Sequence, residues 1–353
     1  MSSHQKSYKY TLQIIADILS FENSTDALKQ KMVSNAIDWE QFVFVASDFL
    51  VLTTCYCRLK EKQLLEYIPK ELELYLEEIT GINRNRNITL LNEIKSIATI
   101  FNQNKINYVF LKGAAYLVKN HFEDFGERML GDIDVLVQES QINESYQLLL
   151  NHNYKSTKQG ISAKYFNNKH LPRLQSDVNL AAVEIHNKVL LNPYKGYLEV
   201  TDILNTKETV QQIFVPSDKH LLSHSILNFQ ANDSGHLFSR ISMRSIYDLL
   251  ILNRKYNYNF EEIYKGSYFR KYFSIAKIFF SDFNNHKSNS FINTLFLLKL
   301  KHPWLKKIID GFITKFVFFK TLLTTRIWHF IHNKNYRKDI IKAYGKNSRL
   351  NKA

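Results

Sequence analysis

Cysteine, glycine and proline are all scarce in this chain of 353 residues. Its two cysteines, Cys55 and Cys57, share one apolar stretch with no second pair of metal ligands nearby. This pattern disfavours a zinc site or a structural disulfide and predicts two reduced, packed thiols. Only 10 Gly and 5 Pro disfavour a sandwich or barrel with many tight turns, and also long disordered linkers. A mostly helical protein with a small mixed sheet fits this composition better.

Long uncharged apolar runs are also absent from the sequence. The N-terminus has no apolar core of the kind that a signal peptide requires, and no later run of about 18 residues is free of charge. We therefore expect a cytoplasmic location. The length of 353 residues is sufficient to bury a sizeable core and to form two or three domains.

The first hundred residues have the apolar spacing of helices, with intervals of three and four. Ser24 and Asp38 are plausible helix starts. Between the last two predicted helices lies Asn-Arg-Asn-Arg-Asn at 83–87, which could bind the phosphates of a ligand or could be a solvated connection. The predicted helices cover residues 10–21, 39–59, 62–79 and 88–102.

Segment 108–137 combines a strand, a glycine turn, a helix and an acidic strand. An apolar strand at 108–111 ends at Lys112 and Gly113, where a glycine lets the backbone approach a phosphate ahead of a helix N-terminus. Asp132 and Asp134 open the next strand, and the side-chain period of two puts both carboxylates on one face. Two acids on one face can share metal ions, so this order predicts a nucleotidyl-transfer site.

Nucleotidyl transfer explains why these residue types stand together. The reaction is an in-line displacement at phosphorus, in which metal ions and cations must hold the charge on the phosphate oxygens. Asp132 and Asp134 would hold one Mg²⁺ ion or, as we expect, two. Lys112 and Arg128 would offset the triphosphate charge. Taken singly, Lys112 could instead be a solvated lysine, and Arg128 could pair with Glu123 or Glu127.

These motifs resemble the polymerase-beta-like nucleotidyltransferase superfamily and, more closely, a bacterial family of uncharacterised nucleotidyltransferases. The resemblance rests on Leu-Lys-Gly at 111–113, on Arg128 and on Gly-Asp-Ile-Asp-Val-Leu-Val at 131–137. It extends to 83–87 and to Val-Glu-Ile-His at 183–186, and it covers roughly residues 40 to 250. Where the wider superfamily has a second glycine or a serine in the turn, this chain has an alanine, so a hydroxyl contact to phosphate is missing.

The resemblance implies a third carboxylate, and Glu184 on a predicted strand at 180–189 is the position that matches. Glu184 would bind metal or accept a proton from the attacking hydroxyl, unless it is only an exposed residue at a strand edge. His186 should share its face, as a hydrogen-bond partner. A helix at 142–152, with Ser140 as its cap, should precede this strand, and 154–166 should supply a further strand or two.

The implied activity is Mg²⁺-dependent transfer of a nucleoside monophosphate from a nucleoside triphosphate (NTP) to an unidentified acceptor. Relatives suggest a glycan, a lipid-linked sugar or another small molecule, with a place in surface-polysaccharide biosynthesis. A toxin-like transferase that modifies tRNA is an alternative within the same fold. A nucleotide-binding module without turnover is another, because the turn lacks its hydroxyl.

From about residue 217 the pattern is helical again. His220 and His224 lie one turn apart without the glutamate of a zinc-protease motif, so packing or substrate contact is the expected role. Arg244 and Asp248 have the spacing of a helical ion pair. The resemblance places His224 and Asp248 at the cleft.

The C-terminal quarter, residues 265–353, concentrates the positive charge of the chain. It carries 19 Lys and Arg against 3 Asp and Glu, a net charge of +16, which leaves −2 for the rest. Its apolar runs are aromatic and interrupted by charges such as Asp310 and Lys315, which disfavour a transmembrane span. It could bind an anionic membrane surface or RNA, or simply pack on the catalytic domain with a solvated basic face.

We therefore predict an α+β protein with a small mixed-sheet nucleotidyltransferase core between two helical regions. The predicted boundaries are 1–100 for the N-terminal helical region, 101–215 for the catalytic domain and 216–353 for the C-terminal helical region. The basic tail predicts peripheral contact with the inner face of the membrane as a possibility.

Overall fold

The computed structural model describes residues 7–158, 160–166, 169–256 and 266–350. Helices surround a mixed sheet of five strands, which confirms the predicted α+β class. The strands are β1 Tyr108–Phe110, β2 Ile133–Val137, β3 Tyr154–Ser156, β4 Leu174–Ser176 and β5 Val183–His186. Their order is β1-β2-β5-β4-β3; β2 and β5 are parallel and the other neighbours are antiparallel.

The central strands β2 and β5 are buried along their whole length. Helices therefore cover both faces, as expected of apolar strands at the centre of a mixed sheet. A separate hairpin extends the fold beside β1, where the rings of Tyr108 and Phe214 lie 5.4 Å apart. The hairpin strands are β6 Glu208–Val210 and β7 Ile213–Val215.

Five helices precede the sheet. Ser24 and Asp38 accept hydrogen bonds from the backbone amides of Ala27 and Gln41, so the predicted helix starts are confirmed. These helices are α1 Tyr8–Leu19, α2 Thr25–Val33, α3 Trp39–Asp48, α4 Leu52–Glu61 and α5 Lys70–Gln103.

Two predictions for this region were wrong. The single helix predicted at 39–59 is two helices, α3 and α4, which meet at an angle of 118°. Leu50 lies between them in the left-handed region, with a φ of 56°, and ends the first helix there. Conversely, residues 70–79 and 88–102 of the last two predicted helices belong to one helix, α5, whereas residues 62–69 precede it. Segment 83–87 therefore lies inside a helix and is not a connection.

The remaining helices follow or interrupt the strands. A short 3₁₀ turn precedes α7 and makes Gln141 its N-terminal cap residue, so the predicted cap at Ser140 was wrong. Segment 154–166 contains one strand and one helix. These helices are α6 Lys112–Val118, α7 Ile142–Asn151, α8 Ile161–Tyr165, α9 Val200–Asn205, α10 Asp218–Leu227, α11 Gly235–Phe238 and α12 Met243–Tyr256.

The C-terminal helices divide into an inner and an outer group. The inner group packs on the N-terminal helices: the backbone amide of Phe21 donates to Asp282 over 3.1 Å, and Phe280 and Phe283 are fully buried. The inner helices are α13 Ser267–Ala276 and α14 Ser290–Lys301. The outer helices are α15 Pro303–Thr321, α16 Ile327–His332 and α17 Lys334–Leu350. None of the described helices has, by itself, the length and apolar character needed to cross a membrane.

Candidate active site

Two acids and a histidine meet where β2 and β5 lie side by side. Asp134 stands opposite Glu184 in the parallel register. His186 Nε2 lies 2.8 Å from Asp134 Oδ1 and 3.5 Å from Glu184 Oε2, which confirms that Glu184 and His186 share a face. One ligand atom from each of the three lies within 4.8 Å of the others, a spacing that suits a metal ion.

Asp132 lies at the mouth of this cluster. The strand begins one residue later than predicted, at Ile133, and the Asp132 side chain is about one third exposed. An arginine that the sequence analysis did not single out connects it to the other acids. One terminal nitrogen of Arg173 lies 2.8 Å from Asp132 Oδ2 and 2.7 Å from Glu184 Oε1. All three predicted carboxylates therefore meet in one site, with a guanidinium between two of them.

Lys112 reaches the acids from the turn after β1. Its backbone is left-handed, with a φ of 49°, and its Nζ lies 2.6 Å from Asp134 Oδ1. The sparsely populated backbone region thus falls on the lysine and not on Gly113. A Cβ at Gly113 would overlap the side chains of Arg128 and Leu130, so close packing is what requires a glycine here.

Arg128 is buried and bound to a distant acid. Its Nε lies 2.7 Å and a terminal nitrogen 2.9 Å from the two oxygens of Asp248 on α12, and its guanidinium lies 5.4 Å from the centre of the Tyr116 ring. A pair with the adjacent glutamate was considered from the sequence, but Glu127 accepts a hydrogen bond from Tyr247. This bidentate bond from Arg128 replaces the helical ion pair that was predicted between Arg244 and Asp248.

A cleft with charged walls opens beside the acidic cluster. It is lined by three cations, two acids and a histidine, namely Lys112, Arg128, Arg244, Asp233, Asp248 and His224. The expectation that His224 and Asp248 face the cleft is therefore confirmed. Burial and the charge of Lys112 lower the pKa of His224 to about 3, which keeps its imidazole neutral. The cleft is thus positive through its lysine and arginines and not through its histidine.

The three acids differ in their affinity for protons. Burial alone would raise the pKa of Asp134, but the hydrogen bond with His186 and the charge of Lys112 hold it well below its usual range. Burial also opposes ionisation of Glu184, yet His186 and Arg173 lower its pKa to about 2. Burial and the two neighbouring carboxylates raise the pKa of Asp132. Asp134 and Glu184 are therefore anionic at neutral pH.

The asparagine and arginine repeat at 83–87 holds the loop that leads into the site. Asn87 Nδ2 donates to the carbonyls of Phe125 and Arg128, over 2.6 and 2.8 Å. Asn83 Nδ2 donates to the carbonyls of Gly126 and Arg128, over 2.7 and 3.2 Å. Because these asparagines are one helical turn apart, both point from the same face of α5.

The two arginines of the repeat serve the same loop. Arg84 makes two bonds to Asp124, of 2.7 and 2.6 Å. Arg86 donates to the carbonyls of Leu130 and, over 3.0 Å, of Gly131. Of the two roles considered from the sequence, phosphate binding is therefore not what occupies these side chains in the structure. They fix the backbone just before Asp132.

Sequence reasoning missed Arg173 and Asp124, and it missed the pairing of Asp248 with Arg128. Arg128 and Asp248 are 120 residues apart in sequence, and local spacing cannot predict such a pair. Arg173 had a weak signal, because it follows Lys169 and His170 in a short basic stretch without an acid. That stretch lies just before the strand that pairs with β5.

Comparison with protein families places the chain. A protein-family model described as uncharacterised nucleotidyltransferase matches residues 35–266. No curated protein sequence matches the chain significantly. The matched segment contains every residue of the site described above, whereas the C-terminal helices from α13 onward lie outside it.

Proposed function

The chain belongs to this family of uncharacterised nucleotidyltransferases, and from that premise we propose that it transfers a nucleoside monophosphate from an NTP to an acceptor hydroxyl or phosphate, with Mg²⁺. The observation that carries the proposal is the register of β2 and β5, which sets Asp134 directly beside Glu184. Asp132 lies at the mouth of the same site, and Lys112 reaches it from the preceding turn.

The donor set fits a hard divalent ion. Mg²⁺ prefers carboxylate oxygens, and Asp134 and Glu184 offer them in anionic form, with Asp132 beside them. These three acids would hold the metal, which when bound would supply positive charge to offset that of the phosphates. His186 is better suited to orient Asp134, since its Nε2 already lies against that carboxylate.

The low pKa of Glu184 separates the two roles expected for it. A group with a pKa of about 2 is a poor proton acceptor near neutral pH, because it holds a proton too weakly to assist the attacking hydroxyl. The same ionisation favours metal binding. We therefore assign Glu184 as a metal ligand.

The cations of the cleft suit the triphosphate. Lys112 is bound to Asp134 and also lines the cleft, and Arg244 lines the same cleft. Two cations at these positions can hold phosphate oxygens while charge develops on the leaving pyrophosphate. Arg128 has a different task in this proposal: it holds Asp248 and packs on Gly113, and so positions the turn that carries Lys112.

The acceptor is proposed by class only. The motif resemblance favours a sugar, a glycan or a lipid-linked sugar, and the basic C-terminal helices are compatible with work near a membrane. The site itself has no feature that selects among these acceptors, so the acceptor is a question for experiment.

The experiment incubates the protein with cell extract and each NTP, labelled at the α or at the γ phosphate. Label from the α position in a macromolecular, lipid or sugar product supports nucleotidyl transfer. Label from the γ position alone would make the protein a kinase. Tight NTP binding without either product would support the binding module.

Asp134→Asn is the decisive variant for this assay. It keeps the size of a buried side chain but removes one carboxylate from the metal site, so we expect α-label transfer to fall on the order of a thousandfold. Mg²⁺-dependent NTP binding should weaken with it. The matched control is Asp177→Asn, which neutralises an acid whose side chain is 77% exposed. Near-normal transfer by Asp134→Asn would refute the metal assignment.

A further inference from the structure

The outer C-terminal helices form an arm whose side chains are exposed or half-buried. Helix α15, the π-helical turn Leu322–Arg326 and α16 continue one into the next from residue 303 to residue 332, and we call this stretch the basic arm. None of its residues is buried. One side of the arm is half-buried, at residues such as Leu305, Ile309 and Ile313, and the apolar residues on its exposed side require a partner.

Six of the exposed apolar residues of the basic arm follow one face, and others, such as Phe318 and Trp328, are exposed beside them. The six recur at intervals of four and three, which is the period of a single helical stripe. The π-helical turn advances each residue by a smaller angle than an α-helix does, which keeps the stripe in line across the junction. The stripe runs through Ile308, Phe312, Phe316, Phe319, Leu323 and Ile327, and the ring of Phe312 is 72% exposed.

Positive charge accompanies the stripe, and the acids of the C-terminal quarter are engaged elsewhere. Lys306, Lys307, Lys315 and Lys320 are exposed on α15. Asp310, the one acid of α15, pairs with the buried Lys299 of α14. The net charge of +16 in residues 265–353 is therefore presented with little local compensation.

We propose that the basic arm docks the protein on an anionic lipid bilayer, with the apolar stripe in the headgroup region and the lysines at the phosphates. A bilayer accepts both components, since aliphatic and aromatic side chains gain from burial and cations gain from the surface potential. RNA would reward the lysines and could stack on the phenylalanines, but it offers nothing to Ile308, Leu323 or Ile327. A second copy would bring an arm of the same charge against the first.

The way the basic arm is tied to the molecule also favours a flat partner. At one end, Lys299 holds Asp310. At the other, α17 returns to the catalytic region, where Lys164 of α8 lies 2.8 Å from Asp339 and the rings of Tyr165 and Tyr336 are 5.2 Å apart. A helix held at both ends presents its outer side only, which suits a planar surface better than a groove that wraps around it.

The test is cosedimentation of the full chain with phosphatidylcholine vesicles, with and without an equal part of phosphatidylglycerol. We expect binding to the anionic vesicles and little to the neutral ones. The double variant Phe312→Ser and Phe316→Ser should weaken binding roughly a hundredfold, because the burial of two rings in the bilayer is lost. Lys315→Gln with Lys320→Gln should weaken it about fivefold for each lysine. Salt should weaken binding by the wild type without abolishing it, because the apolar contribution is not screened.

Matched controls come from the opposite end of the chain. Phe44→Ser removes a ring that is 75% exposed on α3, and Lys95→Gln removes an exposed cation on α5; neither should change vesicle binding. Thermal melting of each variant checks the fold. Three results would overturn the proposal: no binding to anionic vesicles, binding to tRNA alone with a steep log-linear salt dependence, or a dimer that Phe312→Ser dissociates. None of these results would bear on nucleotidyl transfer.

Discussion

Arg173 stands where a cation is required between Asp132 and Glu184. Its side chain is 45% exposed, so it can rotate away without crossing the core. In the absence of metal it lowers the repulsion among three neighbouring carboxylates, and a divalent ion would compete with it for the same oxygens. The arginine and a divalent ion would thus be alternative partners of one acidic cluster.

Replacing Arg173 by alanine should therefore reveal the metal site in a stability measurement. We expect Arg173→Ala to melt at a lower temperature than the wild type in chelator, because the acids repel one another. Added Mg²⁺ should raise its melting temperature by more than it raises that of the wild type, since no guanidinium has to be displaced. Arg254→Ala, which breaks an exposed pair with Glu61, is the control and should respond to Mg²⁺ as the wild type does. Equal Mg²⁺ responses in Arg173→Ala and the wild type would contradict the competition.

Glu127 provides a pH-dependent contribution that is separate from the metal ligands. Burial raises its pKa to about 7 from the ordinary 4.5, although Tyr247 donates a hydrogen bond to it. A carboxyl whose folded pKa is raised stabilises the fold fully below the unfolded value, and this contribution is lost as pH rises through 7. At alkaline pH the burial of the ionised Glu127 carboxylate lowers the free energy of unfolding.

We predict that Glu127→Gln removes this dependence, because the amide keeps an acceptor for Tyr247 and cannot ionise. The variant and the wild type should have similar free energies of unfolding near pH 5. Near pH 9 the variant should be more stable by roughly 3 kcal/mol, the equivalent of the shift from 4.5 to about 7. Urea denaturation across this pH range measures the difference. Parallel curves for the two proteins would show that the raised pKa of Glu127 is wrong.

Helix α5 acts as a scaffold for the loop between α6 and β2. Its buried asparagines satisfy carbonyls of a segment that has no sheet partner, and such carbonyls are costly to leave without a donor. Arg128 and Asp132 both lie in this loop. The position of the acidic site therefore depends on a helix that contributes no residue to the acidic cluster. The hydrogen bonds from these asparagines therefore stabilise the fold and also position the acidic site.

Asn87→Ala should accordingly reduce both stability and NTP binding. It leaves the carbonyls of Phe125 and Arg128 without their amide donor, which should cost about 2 kcal/mol of unfolding free energy. Asn85→Ala is the control from the same repeat, because Asn85 is exposed and its substitution should change stability little. Chemical denaturation and NTP titration measure the two effects. If both variants were equally stable, the proposed role of the repeat as a clamp would fail.

The elements around the site could be predicted where the signal is local. A strand, a lysine-glycine turn and an acidic strand lie within 30 residues, and their periodicity indicates which side chains share a face. The register of β2 against β5 joins positions 50 residues apart in sequence, and a family resemblance was needed to select Glu184. Segment 83–87 was wrongly excluded from a helix, because asparagine is a weak helix former and its value here comes from tertiary hydrogen bonds.

At the scale of the whole molecule, the C-terminal quarter contains two kinds of helix that share one composition. Both are basic and aromatic, and composition alone does not separate them. The inner group buries Phe279, Phe280 and Phe283 and contacts α1, whereas the residues of the basic arm are half-buried or exposed. Packing on the rest of the molecule therefore accounts for the inner group, whereas the partner of the exposed side of the arm stays a prediction.

Truncation should distinguish the two groups of helices. A chain ending near residue 264 loses the inner helices and exposes the core face of α1, so we expect it to be unfolded or aggregated. A chain ending at Thr314 keeps Asp310 for the buried Lys299 and loses mainly exposed surface. Its melting temperature should fall by no more than about 4 °C, chiefly because Tyr336 no longer packs on α8.

The shorter truncation, at Thr314, should also show whether NTP binding and vesicle binding depend on different parts of the chain. The chain ending at Thr314 retains all of residues 35–266, so we expect Mg²⁺-dependent NTP binding equal to that of the full chain. Vesicle binding should be lost, because Phe316, Leu323 and the following residues of the stripe are gone. Circular dichroism, NTP titration and cosedimentation on the same preparation give the three readouts. A cooperative melt with normal NTP binding but undiminished vesicle binding would move the docking surface away from the basic arm, since the fold and the nucleotide site would both be intact.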